Sequence, residues 1–486
     1  MSWSCREVER RVLRLLHGQK TRTHLSQIHA YFLRHGLDQS NQVLSHFVCV
    51  CGSLGKMAYA NRIYHHTQNP NILLFNSMIK GYSSCGPFHQ SLQMFSLMRS
   101  RGIRPDEYTF VPLLKSCSNI CEYRMGQCVH AQVFKAGFEW SGPIQNGIVE
   151  FYVTCVTLKD AKKMFDEMYH RDVIAWNLMI RGFCKMGDVD MGLYLFRQMI
   201  ERSIVSWNSM ISCLEKSGRD GEALELFGEM RDQGLELDEA TVVTMLPVCA
   251  RLGALDIGEW IHTYSDSKGL VKEFISIRNS LIDFYSKCGN LDLAFNIFHQ
   301  MQCKNIVTWN AMISGLAFNG KGQLGVDLFE EMMKTGMNPN DATFVGVLAC
   351  CAHAGLVEKG LDLFASITLN HQIEPKLEHY GCMVDILGRS GSLKEAHDLI
   401  RSMPMKPNAT LWGSLLSSCR TYGDFELAEL AVKELINLEP WNSGNYVLLS
   451  NIYAEEGSWD KVEEVRVLMR EKYVKKAPGQ SVVGIN

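Results

Sequence analysis

The sequence predicts an all-α chain, a solenoid of stacked helix–turn–helix repeats. Three observations predict it: two apolar markers recur with one shared spacing, a glycine recurs between two helical half-patterns, and no strand-like alternation is visible.

The first marker is an aromatic followed by Asn, seen as Phe75-Asn76, Trp176-Asn177, Trp207-Asn208 and Trp309-Asn310. Met-Ile follows each, as Met78-Ile79, Met179-Ile180, Met210-Ile211 and Met312-Ile313. The second marker is Phe-x-x-Met, at Phe95/Met98, Phe165/Met168, Phe196/Met199, Phe227/Met230, Phe298/Met301 and Phe329/Met332, whose Phe positions step by 70, 31, 31, 71 and 31. Asn76, Asn146, Asn177, Asn208, Asn279 and Asn310 step by the same numbers. Each longer step hides one divergent unit.

Starting each unit four residues before its Asn gives 72–106, 107–141, 142–172, 173–203, 204–238, 239–274, 275–305, 306–340 and 341–376, then 377–408. Residues 1–71 hold two degenerate units, and 409–486 hold carboxy-terminal hairpins and a tail. The fifteenth position is Gly at 86, 187, 218, 253, 289, 320, 355, 391 and 423, with Cys121 and Val156 departing. A Gly between helical patterns is the expected left-handed stop. In 204–238, Val205, Trp207, Met210, Ile211 and Leu214 line one helix, and Ala223, Leu224, Phe227 and Met230 the next. One such hairpin cannot bury its apolar face alone, so neighbours must stack, and the Trp, Phe and Met stripes are core.

Composition narrows the function classes. A chain of 486 residues with net charge −3 does not advertise a nucleic-acid binder through bulk electrostatics. No run of about 18 apolar residues occurs, so no membrane span is expected. The 17 cysteines are scattered without a CxxC, which favours reduced, mostly buried thiols over a disulfide framework or a zinc site. A nucleobase deaminase needs H-x-E and a later C-x-x-C. Neither is present, nor is a phosphate-binding G-x-x-x-x-G-K-[ST] loop or H-E-x-x-H. The expectation is a non-catalytic chain with no metal and no cofactor.

With hairpins of 35, 36 and 31 residues in rotation, the chain resembles the pentatricopeptide repeat family in its plant form with mixed repeat lengths. "DVIAWNLMIRGFCKMGDVDMGLYLFRQM" and "SIVSWNSMISCLEKSGRDGEALELFGEM" carry the resemblance for short and standard units; "DEYTFVPLLKSC" and "DEATVVTMLPVCA" carry it for long ones. Tetratricopeptide arrays keep a constant 34-residue period and a W-x-x-L-G-x-x-Y signature that these units lack. "EHYGCMVDILGRSGSLKEAHDLIRSMPMKPN", "ATLWGSLLSSCRTYGDFELAELAVKELINLEPWN" and "SGNYVLLSNIYAEEGSWDKVEEVRVLMREKYVKKAPGQSVV" resemble the last short repeat and the E extension motifs of the organelle RNA-editing subgroup. Members with an appended DYW deaminase domain continue further than Asn486. The resemblance implies a right-handed superhelix that binds single-stranded RNA.

It also implies which residues address bases, one base per unit, through the fifth and last residues. The pairs are Asn76 with Asp106, Asn146 with Asp172, Asn177 with Ser203, Asn208 with Asp238, Asn279 with Asn305 and Asn310 with Asn340. The family correspondence gives U for Asn/Asp, C for Asn/Ser and a pyrimidine for Asn/Asn. An Asn amide sets a donor beside an acceptor, which suits a base's Watson–Crick edge. Leu73, Ile174, Val205 and Val307, at the second position, are candidates to flank the bases. Two plainer roles stand beside these: a unit-end Asp, Ser or Asn is also a good N-cap for the next helix, and the repeated Asn can bond locally to backbone. Against the latter, Asn in a helix costs roughly half a kcal/mol relative to Ala. The units with Val111/Ser141, Val243/Phe274, Val345/Lys376 and Gly381/Asn408 do not fit the correspondence. The expected target is therefore a gapped element: U, gap, U, C, U, gap, pyrimidine, pyrimidine, gap.

Three functions remain open. The first is a site-recognition factor for C-to-U editing of organelle transcripts, whose carboxy-terminal hairpins recruit a DYW-type cytidine deaminase in trans with other editing factors. The second is an RNA-binding protein for transcript stability, splicing or processing. The third is a peptide-binding helical scaffold. A monomer is expected. At the amino terminus, Arg6, Arg10, Arg11 and Arg14 with Val8, Val12, Leu15 and Leu16 suit either an amphipathic targeting segment or the opening helix of the first degenerate repeat. The resemblance favours the mitochondrion, with the chloroplast as the alternative.

Overall fold

The apolar stripes can be buried only by helix pairing, and the computed structural model shows how. It describes residues 5–18, 21–155 and 157–472; these form 29 helices and no strand. The chain divides into two compact units, Met1–Leu235 and Glu236–Asn486.

In the first unit, Ile72–Cys85, Glu107–Ile120, Gly142–Thr154, Val173–Lys185 and Ile204–Lys216 are the first helices of successive hairpins, each lying against the next. In the second, Glu239–Leu252, Ile275–Lys287, Ile306–Phe318, Asp341–Ala354, Leu377–Arg389 and Ala409–Tyr422 do the same. The terminal hairpin, Ser443–Glu455 with Trp459–Glu471, packs on Phe425–Leu438. Left-handed glycines end many of the first helices, as at Gly253 (φ 66°) and Gly355 (φ 68°). Cys121 takes the same conformation without being glycine (φ 56°); Val156 lies outside the described residues. Before residue 72 stand four helices, Cys5–Leu16, Arg22–Arg34, Asn41–Ser53 and Met57–His66. Val8, Val12 and Leu16 are buried there, while Leu15 faces solvent.

The core is a ladder across unit junctions. All six Phe-x-x-Met pairs are buried. In short units the second-helix Phe meets the next unit's Trp edge-on: Phe165–Trp176 and Phe196–Trp207 have centroids 4.9 Å apart, and Phe298–Trp309 5.1 Å. A cation just before the unit end lies over that Phe, with Arg171, Arg202 and Lys304 at 5.1, 5.0 and 4.8 Å from the ring centres. The same cations donate to carbonyls at the end of the second helix, Phe165 O, Phe196 O and Met301 O. One residue thus caps a helix and closes the aromatic stack.

Among the described free cysteines, Cys51, Cys117, Cys249, Cys350, Cys351 and Cys419 are buried as small hydrophobes, whereas Cys49, Cys85, Cys121, Cys128 and Cys303 are exposed, so the expectation of mostly buried thiols holds only in part. Burial pushes the thiols of Cys51, Cys117, Cys249 and Cys350 up to about 12. The expectation of reduced thiols fails at one pair: Cys184 and Cys213, on adjacent first helices with Cα atoms 5.8 Å apart, are joined by a disulfide. Their separation of 29 residues is nearly one short unit, so stacking places them face to face.

Long units join the following short units through a glycine. Gly126 and Gly258 face the rings of Phe151 and Phe284, which occupy the space a Cβ would need. Gly258→Ala should therefore lower stability by about 1–3 kcal/mol through overpacking. Gly221→Ala, a helical glycine with open space around it, should be neutral or stabilising. Thermal melts of the two variants side by side check this contrast.

Candidate nucleic-acid interface

The first turn of each first helix sets the candidate site. The residue before the helix has extended backbone, and its side chain accepts from the N–H three residues on, as Asp106 does from Thr109 N (3.0 Å). Asp172, Ser203, Asp238, Asn305 and Asn340 cap in the same way. The N-cap role weighed for these residues is therefore real, and it does not displace the pairing with Asn.

Within the first compact unit, Asn76 Nδ2 donates to Asp106 Oδ1 at 2.8 Å and Asn146 Nδ2 to Asp172 Oδ2 at 2.9 Å. Within the second, Asn279 Nδ2 donates to Asn305 Oδ1 at 3.3 Å and Asn310 Nδ2 to Asn340 Oδ1 at 3.0 Å. The chain separations are 26 or 30 residues, so each contact joins one unit's first helix to the cap of the next. Asn177 and Ser203 are not hydrogen-bonded to each other; Ser203 bonds Ser206 instead. Asn208 belongs to the first compact unit and Asp238 to the second. Asp238 accepts from both the N–H and the hydroxyl of Thr241, each at 2.8 Å.

A third residue, not singled out from the sequence, joins three of these pairs. Thr109 Oγ1 donates to Asn76 Oδ1 at 2.7 Å, Thr308 Oγ1 to Asn279 Oδ1 at 2.8 Å, and Thr343 Oγ1 to Asn310 Oδ1 at 2.7 Å. The same hydroxyls accept from the backbone N–H of Asp106, Asn305 and Asn340, completing capping boxes. The available signal was the third position of the units, where Thr109, Thr241, Thr308 and Thr343 recur. The amides satisfy only part of their capacity in this way: an Asn has two N–H donors and two acceptor lone pairs.

Apolar side chains stand one turn before the Asn with no core to cover them. Leu73, Ile174, Val205 and Val307 are 44%, 60%, 59% and 53% exposed. The long units present something else at the same level. Val111, Val243 and Val345 replace the amide, and the acid at the first position is bonded at the unit's end or just beyond it: Ser141 donates to Glu107 and Lys376 pairs with Asp341 at unit ends, while Ser276, the second residue of the next unit, donates to Glu239. Lys376 also holds the Asp341 carboxyl below its ordinary range. Among the described residues, no cluster of three His, Cys, Asp or Glu side chains could hold a metal, and no helix is long and apolar enough to cross a membrane.

The caps can be separated from the amide pairs by substitution. Asn340→Ala should cost about 0.5–2 kcal/mol, because Thr343 N–H loses its acceptor. Asn340→Asp keeps an acceptor there and should unfold close to the parent. Denaturant titration of the three proteins checks the order.

Comparison with known proteins agrees with this architecture. The profile described as "PPR repeat family" matches residues 70–119, 202–251 and 304–353, and "PPR repeat" matches 174–204, 276–306 and 378–407. The "E motif" matches residues 422–484. Pentatricopeptide repeat-containing protein At1g09190 of Arabidopsis thaliana is 57% identical, covering 98% of this chain and 99% of that protein. At2g20540 of the same plant is 40% identical, covering 99% and 90%. At2g22410, named as mitochondrial, is 35% identical over 95% of this chain and 68% of that protein. At1g08070, named as chloroplastic, is 34% identical over 98% and 78%. Among solved structures, that of the maize pentatricopeptide repeat protein PPR10 aligns with a TM-score of 0.51 at 15% identity, covering 98% of this chain and 85% of that one; it is a match of fold. The repeats, the E motif and the relatives together place this chain in the pentatricopeptide repeat family.

Proposed function

We propose that the protein recognises a pyrimidine-rich single-stranded RNA element, one base per amide-bearing hairpin, and directs C-to-U editing of an organelle transcript. The observation that carries this is the pairing of Asn76, Asn146, Asn279 and Asn310 with the caps of the following units. Each pairing engages the amide nitrogen on the following cap and leaves the amide further hydrogen-bonding capacity for a base edge.

The cap then sets the preference. In Asp106, Oδ1 takes both Asn76 Nδ2 and Thr109 N–H, which leaves Oδ2 as an open acceptor. An acceptor suits uracil, whose N3 carries a proton. In Asn340, Oδ1 is engaged in the same way, so Nδ2 faces outward as a donor. A donor suits the unprotonated N3 of cytosine, and the amide partner Asn310 serves either pyrimidine. The Asn177/Ser203 unit offers a hydroxyl and an amide without a mutual bond. Leu73, Ile174, Val205 and Val307 supply exposed apolar surface against which bases can lie. Valines and closed acid contacts leave the long units as spacers, which gives the gapped footprint U, gap, U, C, U, gap, pyrimidine, pyrimidine, gap.

The E motif over 422–484 supports the editing role. In that role the array positions the target, and a DYW-type cytidine deaminase acting in trans supplies the chemistry. The names of the Arabidopsis relatives include one mitochondrial and one chloroplastic protein, and both support an organelle; we favour the mitochondrion. Comparing C-to-U conversion across organelle transcripts with and without the gene tests the role. A lost site preceded by the element is the expected result; unchanged editing with altered transcript ends or splicing assigns the protein to processing instead.

With a net charge of −3, binding should depend on salt less steeply than for a strongly basic RNA binder. Asn340→Asp should shift the preferred base of that unit from cytosine toward uracil. A filter-binding series with single pyrimidine exchanges, repeated at two salt concentrations, measures both effects.

A further inference from the structure

We propose that the third residue of each unit is a positioning residue for the base-reading amide of the unit before it: a Thr there fixes which edge of the Asn faces the RNA. This inference rests on the base-reading role proposed above and names residues outside the fifth and last positions.

Proton bookkeeping carries it. The Thr343 hydroxyl has one proton. Its oxygen accepts the Asn340 N–H at 3.1 Å, and its proton has two acceptors in range, Asn310 Oδ1 at 2.7 Å and Asn340 Oδ1 at 2.9 Å. Asn340 Oδ1 already receives Thr343 N–H and Asn310 Nδ2 at 3.1 and 3.0 Å. The shorter, less crowded bond goes to Asn310 Oδ1. A closed ring results: cap N–H to Thr hydroxyl, hydroxyl to amide oxygen, amide nitrogen to cap oxygen. Rotating the Asn310 amide by half a turn would set its NH₂ against the hydroxyl's proton and its oxygen against the cap oxygen. Thr109 closes the same ring around Asn76 and Asp106, and Thr308 around Asn279 and Asn305.

Two units lack the ring, and their amides show it. The unit after Asn146 has Ala175 at its third position, and the unit after Asn177 has Ser206, whose hydroxyl bonds Ser203. Asn146 Oδ1 and Asn177 Oδ1 are both buried and have no hydrogen-bond partner. In the Asn146 unit the two donors also split over the carboxylate, Asn146 Nδ2 on Oδ2 and Ala175 N on Oδ1, so no oxygen of Asp172 is left wholly open. Thr thus does two things: it locks the amide, and it gathers both donors onto one cap oxygen, which frees the other cap atom for the base.

The test uses full-length protein and RNA oligonucleotides carrying the element, varied one base at a time. Fluorescence anisotropy reads discrimination at each position. Thr343→Val keeps the shape of a fully buried side chain and removes the hydroxyl. It should cut discrimination about fivefold at the base facing Asn310, the worth of about one hydrogen bond, while the position facing Asn76 stays as in the parent. Thr343→Ser, which keeps a hydroxyl beside an Asn cap, should stay closer to the parent than Thr343→Val. Ala175→Thr should raise discrimination at the base facing Asn146, and it remains informative if the valine variant melts early. Equal loss at all positions, or parental selectivity in both Thr343→Val and Ala175→Thr, would show that the hydroxyl only caps a helix and would overturn the proposal. A parent protein that discriminates at no position would overturn the base-reading role itself, and this inference with it.

Discussion

The structure turns on one shared group: the side chain at the end of each amide-bearing unit. As an N-cap it accepts an orphan N–H of the next helix, a need that every helix start has. In four of the six units, ending at Asp106, Asp172, Asn305 and Asn340, it also accepts the amide of the preceding first helix, 26 or 30 residues away. The residue that starts one helix therefore also orients the side chain presented by its neighbour. Changing that residue between Asp, Asn and Ser preserves the cap and alters the exposed donor–acceptor pattern. On the proposed base-reading role, stability and base preference are separable for this reason, and the unit-end side chain can vary while remaining a cap.

The core beneath is built from other side chains. Edge-on Phe–Trp contacts and the cations over Phe165, Phe196 and Phe298 join successive units through the residues that immediately precede the amides and the caps in sequence. Each hairpin buries its apolar face only against its neighbours, so the ladder is a sum of similar junctions. The long units take part in the same packing through Gly126 and Gly258 while presenting valine at the rim. They keep the stack continuous where no amide is offered.

Much of this was legible in the sequence because it is periodic. A helix starts at Ile72, Glu107, Gly142, Val173, Ile204, Glu239, Ile275, Ile306, Asp341, Leu377 and Ala409, the residues at which the recurring Asn and Gly set unit starts. Buried Phe-x-x-Met pairs follow from helical spacing. The ring through Thr109, Thr308 and Thr343 was not read, because a capping-box Thr explains itself locally and nothing in its spacing reveals a second partner in another unit. The acids Glu107, Glu239 and Asp341 hid for the same reason, since an acid in the first turn of a helix is ordinary. The Cys184–Cys213 bond escaped a count of scattered cysteines, because it depends on the lateral alignment of two helices rather than on a motif. Alternation between short and long units is what makes such contacts hard to foresee: the register between partners shifts with every change of unit length.

The most direct measurement is selection from a pool of randomised single-stranded RNA with the full-length protein, followed by sequencing of the bound fraction. An amide array with valine spacers predicts an enriched motif in which pyrimidines occupy separated positions and unconstrained bases fall between them. A flat pool, or a motif with its constraint at the spacer positions, would contradict it.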